Sequence, residues 1–435
     1  MNVFIWGLIG IAILLVLIFI RVPIGFAMAL VGFFGVWLVR GTNPAFSLLA
    51  TEPYSVSSHY VYSVIPLFIF MGNLASQTRI SADAFFALDK WLGHFKGGIA
   101  MGTMGTCTIF AAICSDPIST AATTCTLSLS EMRKYKYSDQ LSLGTIAAGG
   151  NLGFLIPPSL AFIIYGILTE TSIGKLFISG ILPGLLLAAI YMITISLIVR
   201  LNPQMASSRP PASWKERFAS TRKLTGVLVV ILLILGGIYT GTFTPTEAGA
   251  VGVFGVILVA LAGRYLTWKG FKGAVKETAG MLAMIFILVI GAMIFSRFLV
   301  LTEVPMGMTN FVAGLSVPPI LVLIVVLIIY IFIGCIMDIM SIVIVATPIL
   351  HPVLVSLGFD PLWVAVLTVI TILMGNISPP FGIVVFALSG MVPDVPMYTI
   401  FKGILPFLLA TLVGLAILIA FPQIALWLPG MMGRG

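Results

Sequence analysis

Apolar residues run in blocks of about 16 to 25 along nearly the whole chain, long enough for helices that cross a hydrocarbon core about 30 Å thick. Cut at the polar interruptions, the pattern predicts spans at 2–20, 23–39, 61–76, 141–167, 174–199, 224–240, 247–263, 278–300, 361–391 and 398–428. Two further apolar regions, 97–130 and 318–357, are broken near their middles by Asp, Pro, Gly and Ser. That suits helical hairpins which enter and leave on one side. Segments 82–95 and 264–277 mix Lys with Trp, Phe and Leu, as helices lying in the membrane interface do. The stretch 201–223, polar and carrying Pro203, Pro210 and Pro211, reads as a linker between two halves. The expected fold is an all-α polytopic membrane protein with about ten transmembrane helices and two re-entrant hairpins.

Composition agrees with that reading. Of 435 residues, 60% are hydrophobic and 8% charged, against roughly a quarter charged in a soluble domain. The run Asn2–Ile20 lacks a basic start and leads through Arg21 into a second apolar run, so it reads as a retained helix. Cys107, Cys114, Cys125 and Cys335 lie in apolar segments without metal-type spacing and read as small packing residues. The net charge of +8 is dispersed over short loops and is not gathered on a face for nucleic acid. With the N-terminus in the periplasm, 18 of the 22 Lys and Arg fall on the cytoplasmic side; only Arg40, Lys175, Arg297 and Arg434 do not. This orientation requires both hairpins to be re-entrant. His59, His94 and His351 are scattered and no nucleotide-binding Gly-Lys-Ser/Thr loop occurs, so neither an enzyme nor a cofactor is expected.

The two halves repeat at a nearly fixed offset. Asp116 matches Asp338, Ser119 matches Ser341 and Pro157-Pro158 matches Pro379-Pro380, all with the same separation along the chain; Gly180-Ile-Leu-Pro matches Gly403-Ile-Leu-Pro one position further on. In the orientation above the hairpins open from opposite sides, which makes the repeats inverted and places a site at their interface. The strings Gly149-Gly150-Asn151…Pro157-Pro158-Ser159 and Gly375-Asn376-Ile-Ser378-Pro379-Pro380 interrupt otherwise apolar spans. Pro removes a backbone donor and Gly permits unwound geometry, so the helices break there, or else bend at a packing kink. In a break, free carbonyls with Asn and Ser oxygens form a hard oxygen cage suited to Na⁺.

Asp116 and Asp338 sit in the hairpin turns, where each either caps a half-helix or helps shape an ion cage. Glu247 follows Thr244-Pro-Thr and opens a helix, as a capping residue does; coupling is its other reading. Arg297 either snorkels to the interface or meets a substrate carboxylate. Glu52 lies in the predicted loop 41–60, as a solvated or partner-facing charge.

At these motifs the sequence resembles the large membrane subunit of the tripartite ATP-independent periplasmic (TRAP) transporters, within the ion-transporter superfamily. The strings that carry the likeness are Arg21-Val-Pro-Ile-Gly-Phe-Ala, Pro66-Leu-Phe-Ile-Phe-Met-Gly, Ile156-Pro-Pro-Ser, Leu176-Phe-Ile-Ser-Gly-Ile-Leu-Pro-Gly, Pro245-Thr-Glu-Ala-Gly-Ala-Val-Gly and Gly375-Asn-Ile-Ser-Pro-Pro-Phe-Gly. The resemblance implies an elevator-type Na⁺ symporter of the bacterial inner membrane. It also implies a small four-helix membrane subunit and a periplasmic solute-binding protein that delivers an organic acid such as a C4-dicarboxylate, sialic acid or another sugar acid. Carried over by position, a first Na⁺ site falls at Ser115, Asp116, Ser119, Gly149, Gly150, Asn151 and Pro157. A second falls at Gly334, Cys335, Asp338, Gly375, Asn376, Ser378 and Pro379. Substrate would lie between them, near Pro158, Ser159, Ser341, Pro380 and Arg297. Hairpin 1 departs from the family pattern: it reads Cys-Ser-Asp-Pro-Ile-Ser-Thr where a Ser-Gly-Ser-rich turn is expected.

The domains expected are N-terminal scaffold helices (1–60), repeat 1 (61–200) with its broken helix at 149–158, the linker (201–223), scaffold helices with an interfacial arm (224–277), and repeat 2 (278–430) with its broken helix at 375–380. Two other readings stand beside this one. A self-sufficient Na⁺/dicarboxylate or anion symporter of the same superfamily would share the plan, and a channel would need a continuous polar pore instead.

Overall fold

Ser, Thr or Asp stands at many helix starts, where its side chain accepts one of the backbone N–H groups that a first turn leaves free. Ser138, Ser159, Ser172, Ser213, Thr244, Thr267 and Asp360 all do so, and each marks a polar interruption between apolar runs. The computed structural model describes residues 3–432, and among these the regular structure is entirely helical. The predicted start of the first span at Asn2 and the placement of Arg434 lie outside the described residues.

The first half runs through α1 (Val3–Phe19), α2 (Ile24–Arg40), α3 (Thr42–Ser58), α4 (Val64–Ser76) and α5 (Ile80–Leu92). The hairpin α6 (Gly98–Cys114) and α7 (Pro117–Lys134) follows, then the half-helices α8 (Asp139–Asn151) and α9 (Leu160–Thr169), and α10 (Ile173–Leu201). The second half begins with α11 (Trp214–Tyr239), α12 (Pro245–Ala262), α13 (Trp268–Leu301) and α14 (Val304–Ala313). The hairpin α15 (Pro319–Ile336) and α16 (Ile339–Ser356), the half-helices α17 (Pro361–Ile377) and α18 (Ile383–Met391), α19 (Met397–Ala420) and α20 (Gln423–Met431) complete it. Among the described helices, α10, α11, α12, α13, α15, α16 and α19 are each long and apolar enough to cross a bilayer, and α3 with α4, bent by 55°, forms a further candidate span.

The repeat reaches further than the sequence motifs. Shifted by the offset that carries Asp116 onto Asp338, α7 coincides with α16 from end to end, α2 falls on α12 and α5 on α14, while α3 and α4 together fall on the single helix α13. The helix bounds of α2 to α5 thus follow the same offset. Both half-helix pairs are joined through a cis Pro-Pro bond, Pro157-Pro158 and Pro379-Pro380.

Several boundaries differ from expectation, and α14 (Val304–Ala313) lies between the predicted elements 278–300 and 318–357. The predicted loop 41–60 is the helix α3: its Ser, Thr and Pro content disguises a buried stripe, Ala45, Glu52 and Val56, at helical spacing. The interfacial arm 264–277 is not separate, because no proline interrupts the chain between Trp268 and Leu301 and residues 268–277 form the first turns of α13. The linker ends at residue 213, where Ser213 and Glu216 form a reciprocal capping box that starts α11. The span 398–428 divides at Phe421-Pro422.

Hydrocarbon supplies no hydrophobic drive between helices, so close backbone approach and hydrogen bonds hold them together. The halves interlock in this way: α2 lies along α13, α4 along α12, and α8 crosses α19. At that last crossing Gly144 and Gly403 face each other, and a Cβ on either would overlap backbone of the opposite helix. The remaining linker is strapped down, with Arg209 ion-paired to Asp89 of α5 and its N–H bonded to the Gly93 carbonyl at 3.0 Å. Burial pushes the Asp89 carboxyl above the usual carboxylate range, against the pull of Arg209.

Candidate functional site

Hairpin 1 turns in two residues. Ser115 takes a left-handed conformation (φ 52°), and Asp116 then caps α7, its carboxylate accepting the Ser119 N–H at 2.6 Å with Pro117 at the first helical position. Hairpin 2 repeats the device. Asp338 caps α16 by accepting the Ser341 N–H at 3.1 Å, and the Ser341 hydroxyl donates to its other oxygen. Both carboxylates thus cap half-helices, and both also face one cleft.

That cleft measures about 150 Å³, below the roughly 300 Å³ at which drug-sized pockets begin. Asp116, Pro117 and Ile118 contribute from one tip; Asp338, Ile339 and Met340 from the other. Phe154 and Leu160 line it from the first break, Asn376 and Ile383 from the second. Met281, Met284 and Ile285, a stripe at helical spacing on α13, form the opposing wall. Phe154 and Asn376 occupy equivalent positions in the two repeats, so one break presents an aromatic ring where the other presents an amide.

The tip of hairpin 1 meets the first break, whereas Gly149 packs on Cys107 of α6. The Ser115 hydroxyl donates to the Pro158 carbonyl, tying the tip of hairpin 1 to the first break. Gly153 passes close enough that a Cβ there would lie 3.1 Å from the Asp116 carbonyl oxygen, and Gly150 stacks on Ala121 of α7. Asn151 is buried, and its amide donates to the Leu373 carbonyl of α17 at 2.5 Å, while its Oδ1 has no partner among the described residues. A buried acceptor without a partner is costly, and a cation answers its need. Ser159 is spent locally: it donates to Phe154 and caps α9.

The second group is more divided. Gly334 and Gly375 lie backbone to backbone where α15 crosses α17, so packing alone accounts for both glycines. The Ser378 hydroxyl donates to the Met374 carbonyl at 2.7 Å. Cys335 is half-buried, and Pro379 and Pro380 are exposed, whereas Pro157 and Pro158 are buried.

Two charges lie elsewhere. Arg297 donates through Nε to Glu52 of α3 at 2.9 Å, its side chain 61% exposed and that of Glu52 only 8%. It stands twelve residues, roughly 18 Å, along α13 from the cleft residue Ile285, and forms an ion pair between α3 and α13. Glu247 forms a capping box with Thr244, which accounts for it without a coupling role. Arg297→Gln is therefore expected to lower the melting temperature, because it leaves the Glu52 carboxylate buried and unpaired, while the KM for transported substrate stays within about twofold. A tenfold rise in KM would return Arg297 to the substrate.

Sequence reasoning did not find the apolar wall, since Met281, Met284 and Ile285 look like any membrane-facing residues. It also passed over the buried pair Tyr165 and His351, whose Oη and Nδ1 lie 2.6 Å apart and join α9 to α16.

Residues 11–424 match the family described as tripartite ATP-independent periplasmic transporter, DctM component. The chain belongs to this TRAP transporter family as a large membrane subunit. Among relatives, the C4-dicarboxylate TRAP large permease DctM of Pseudomonas aeruginosa is 32% identical over 88% of this chain and 90% of its own length. The sialic acid large permease SiaM of Vibrio cholerae is 29% identical over 95% and 96%. The ectoine large permease TeaC of Halomonas elongata is 34% identical over 84% and 85%. Those relatives are transporter permeases, not enzymes. The fold is shared with the Alcanivorax borkumensis YdaH transporter, at a TM-score of 0.63, 14% identity and 90% coverage of both chains. It is shared also with Neisseria gonorrhoeae MtrF, at 0.60 and 14%, over 92% of this chain and 87% of that one. The TRAP match takes in both hairpins and both breaks, so the cleft lies within the part of the chain that defines the family.

Proposed function

We propose that this TRAP large subunit moves a small organic acid into the cytoplasm by Na⁺ symport, with the hairpins and broken helices travelling as one body in an elevator motion. The observation that carries the reading is the convergence of two carboxylate-capped hairpin tips and two helix breaks on a single cleft. In this reading Na⁺ enters among hard oxygens: the unpartnered Asn151 Oδ1, the Asp116 carboxylate and the freed carbonyls of the first break, with Asp338 and Asn376 serving the second site. The cleft's size favours a compact substrate, and its Met and Phe walls would meet the carbon skeleton.

The subunit would sit in the bacterial inner membrane with its N-terminus in the periplasm, as the distribution of Lys and Arg favours. A small four-helix membrane subunit and a periplasmic solute-binding protein would complete it. The test is uptake of labelled organic acids into proteoliposomes under an inward Na⁺ gradient, with and without those two partners. Na⁺-driven uptake that requires the binding protein is expected. Uptake without it would mark a self-sufficient symporter, and flux indifferent to Na⁺ would overturn the coupling.

A further inference from the structure

Another cavity lies away from the cleft. It measures about 650 Å³ and opens between the end of α5, the start of hairpin 1 and the last turns of α10. Phe95, Met101, Met192 and Ile193 give it apolar walls, and Lys96 and Arg200 stand among its lining residues. No acidic side chain among the described residues lines it. Among the described residues neither Lys96 nor Arg200 has an ion pair, a hydrogen bond or an aromatic ring to meet. By contrast Lys90, Arg133, Lys134, Arg209 and Arg297 all have carboxylate partners.

The fold does not demand these charges. The position equivalent to Lys96 in the second repeat holds Pro318, and the one equivalent to Arg200, in the register of Gly180 and Gly403, holds Gln423, so neither charge recurs. Two unpaired cations beside an apolar cavity, where an apolar helix gives way to a polar segment, match a ligand with an anionic head and acyl tails. We propose that this cavity binds an anionic phospholipid, its phosphate between Lys96 and Arg200 and an acyl chain against Met101 and Met192. Bound there, the lipid would join α5 to α10, the last helix of the first half.

The test follows melting of the purified full-length chain in detergent, titrated separately with phosphatidylglycerol, phosphatidylcholine and inorganic phosphate. Phosphatidylglycerol should raise the melting temperature of the wild type more than phosphatidylcholine does. At about 1 kcal/mol per cation, the Lys96→Gln/Arg200→Gln variant should need about 20- to 30-fold more of it for the same rise. Lys272→Gln/Lys276→Gln, which removes equal charge elsewhere, should respond like the wild type. An equal response from the Lys96/Arg200 variant, an equal loss from the Lys272/Lys276 variant, or full stabilisation by inorganic phosphate would each overturn the proposal. Should the first variant not fold, Ser196→Trp decides: it fills the cavity while keeping both charges, and an undiminished response to phosphatidylglycerol refutes the site.

Discussion

Na⁺-driven uptake should fall by at least about tenfold in Asp338→Ala, and by a similar factor in Asp116→Ala, with the remaining flux less responsive to Na⁺. Each carboxylate does two things in the structure: it caps a half-helix and it lines the cleft. Loss of a cap costs about 0.5–2 kcal/mol, so the alanine variants should melt lower yet still reach the membrane. The asparagine variants separate the two roles. Asn caps a helix about as well as Asp, so Asp338→Asn and Asp116→Asn should keep their melting temperatures and still lose Na⁺ response. Wild-type Na⁺ titration curves in both asparagine variants would leave the carboxylates as caps alone.

A larger structural effect is expected at Gly403. A Cβ there would overlap the Gln140 carbonyl oxygen, which belongs to the backbone of α8 and cannot swing aside as a side chain can. Gly403→Val should therefore destabilise by at least about 3 kcal/mol, read as lost folded yield or a sharply lowered melting temperature. Gly390 in α18 has open space around it, and Gly390→Ala should be neutral or slightly stabilising. If Gly403→Val melts like the wild type, the crossing of α8 and α19 is looser than the structure shows.

Features that a chain announces locally were legible. A Pro-Pro pair or an Asp beside a Ser within an apolar run has few explanations, and these signals marked both breaks and both turns. Polar residues in a membrane protein misled where they did not mark a loop: α3 carries Ser, Thr and two prolines and is still a helix, held through buried Ala45, Glu52 and Val56. Partners distant in sequence were invisible. Arg297 was left between snorkelling and a substrate carboxylate because its own carboxylate, Glu52, lies 245 residues away. Gly375 looked like a place to unwind, and only the crossing of α15 and α17 shows that it and Gly334 allow two backbones to touch. The wall of Met281, Met284 and Ile285 carries no mark in the sequence, because lipid-facing and cleft-facing apolar residues are chemically alike.

The register shared by the two halves makes the chain a matched experiment. Nearly every helix of the first half has a counterpart in the second, at an offset that shifts by one residue only from α10 onward, with different neighbours. Phe154 and Asn376, and Lys96 and Pro318, are pairs that share one position in the repeat while the side chain changes. Exchanging such residues between the halves would ask which properties belong to the architecture and which to one side of the membrane, with the protein serving as its own reference.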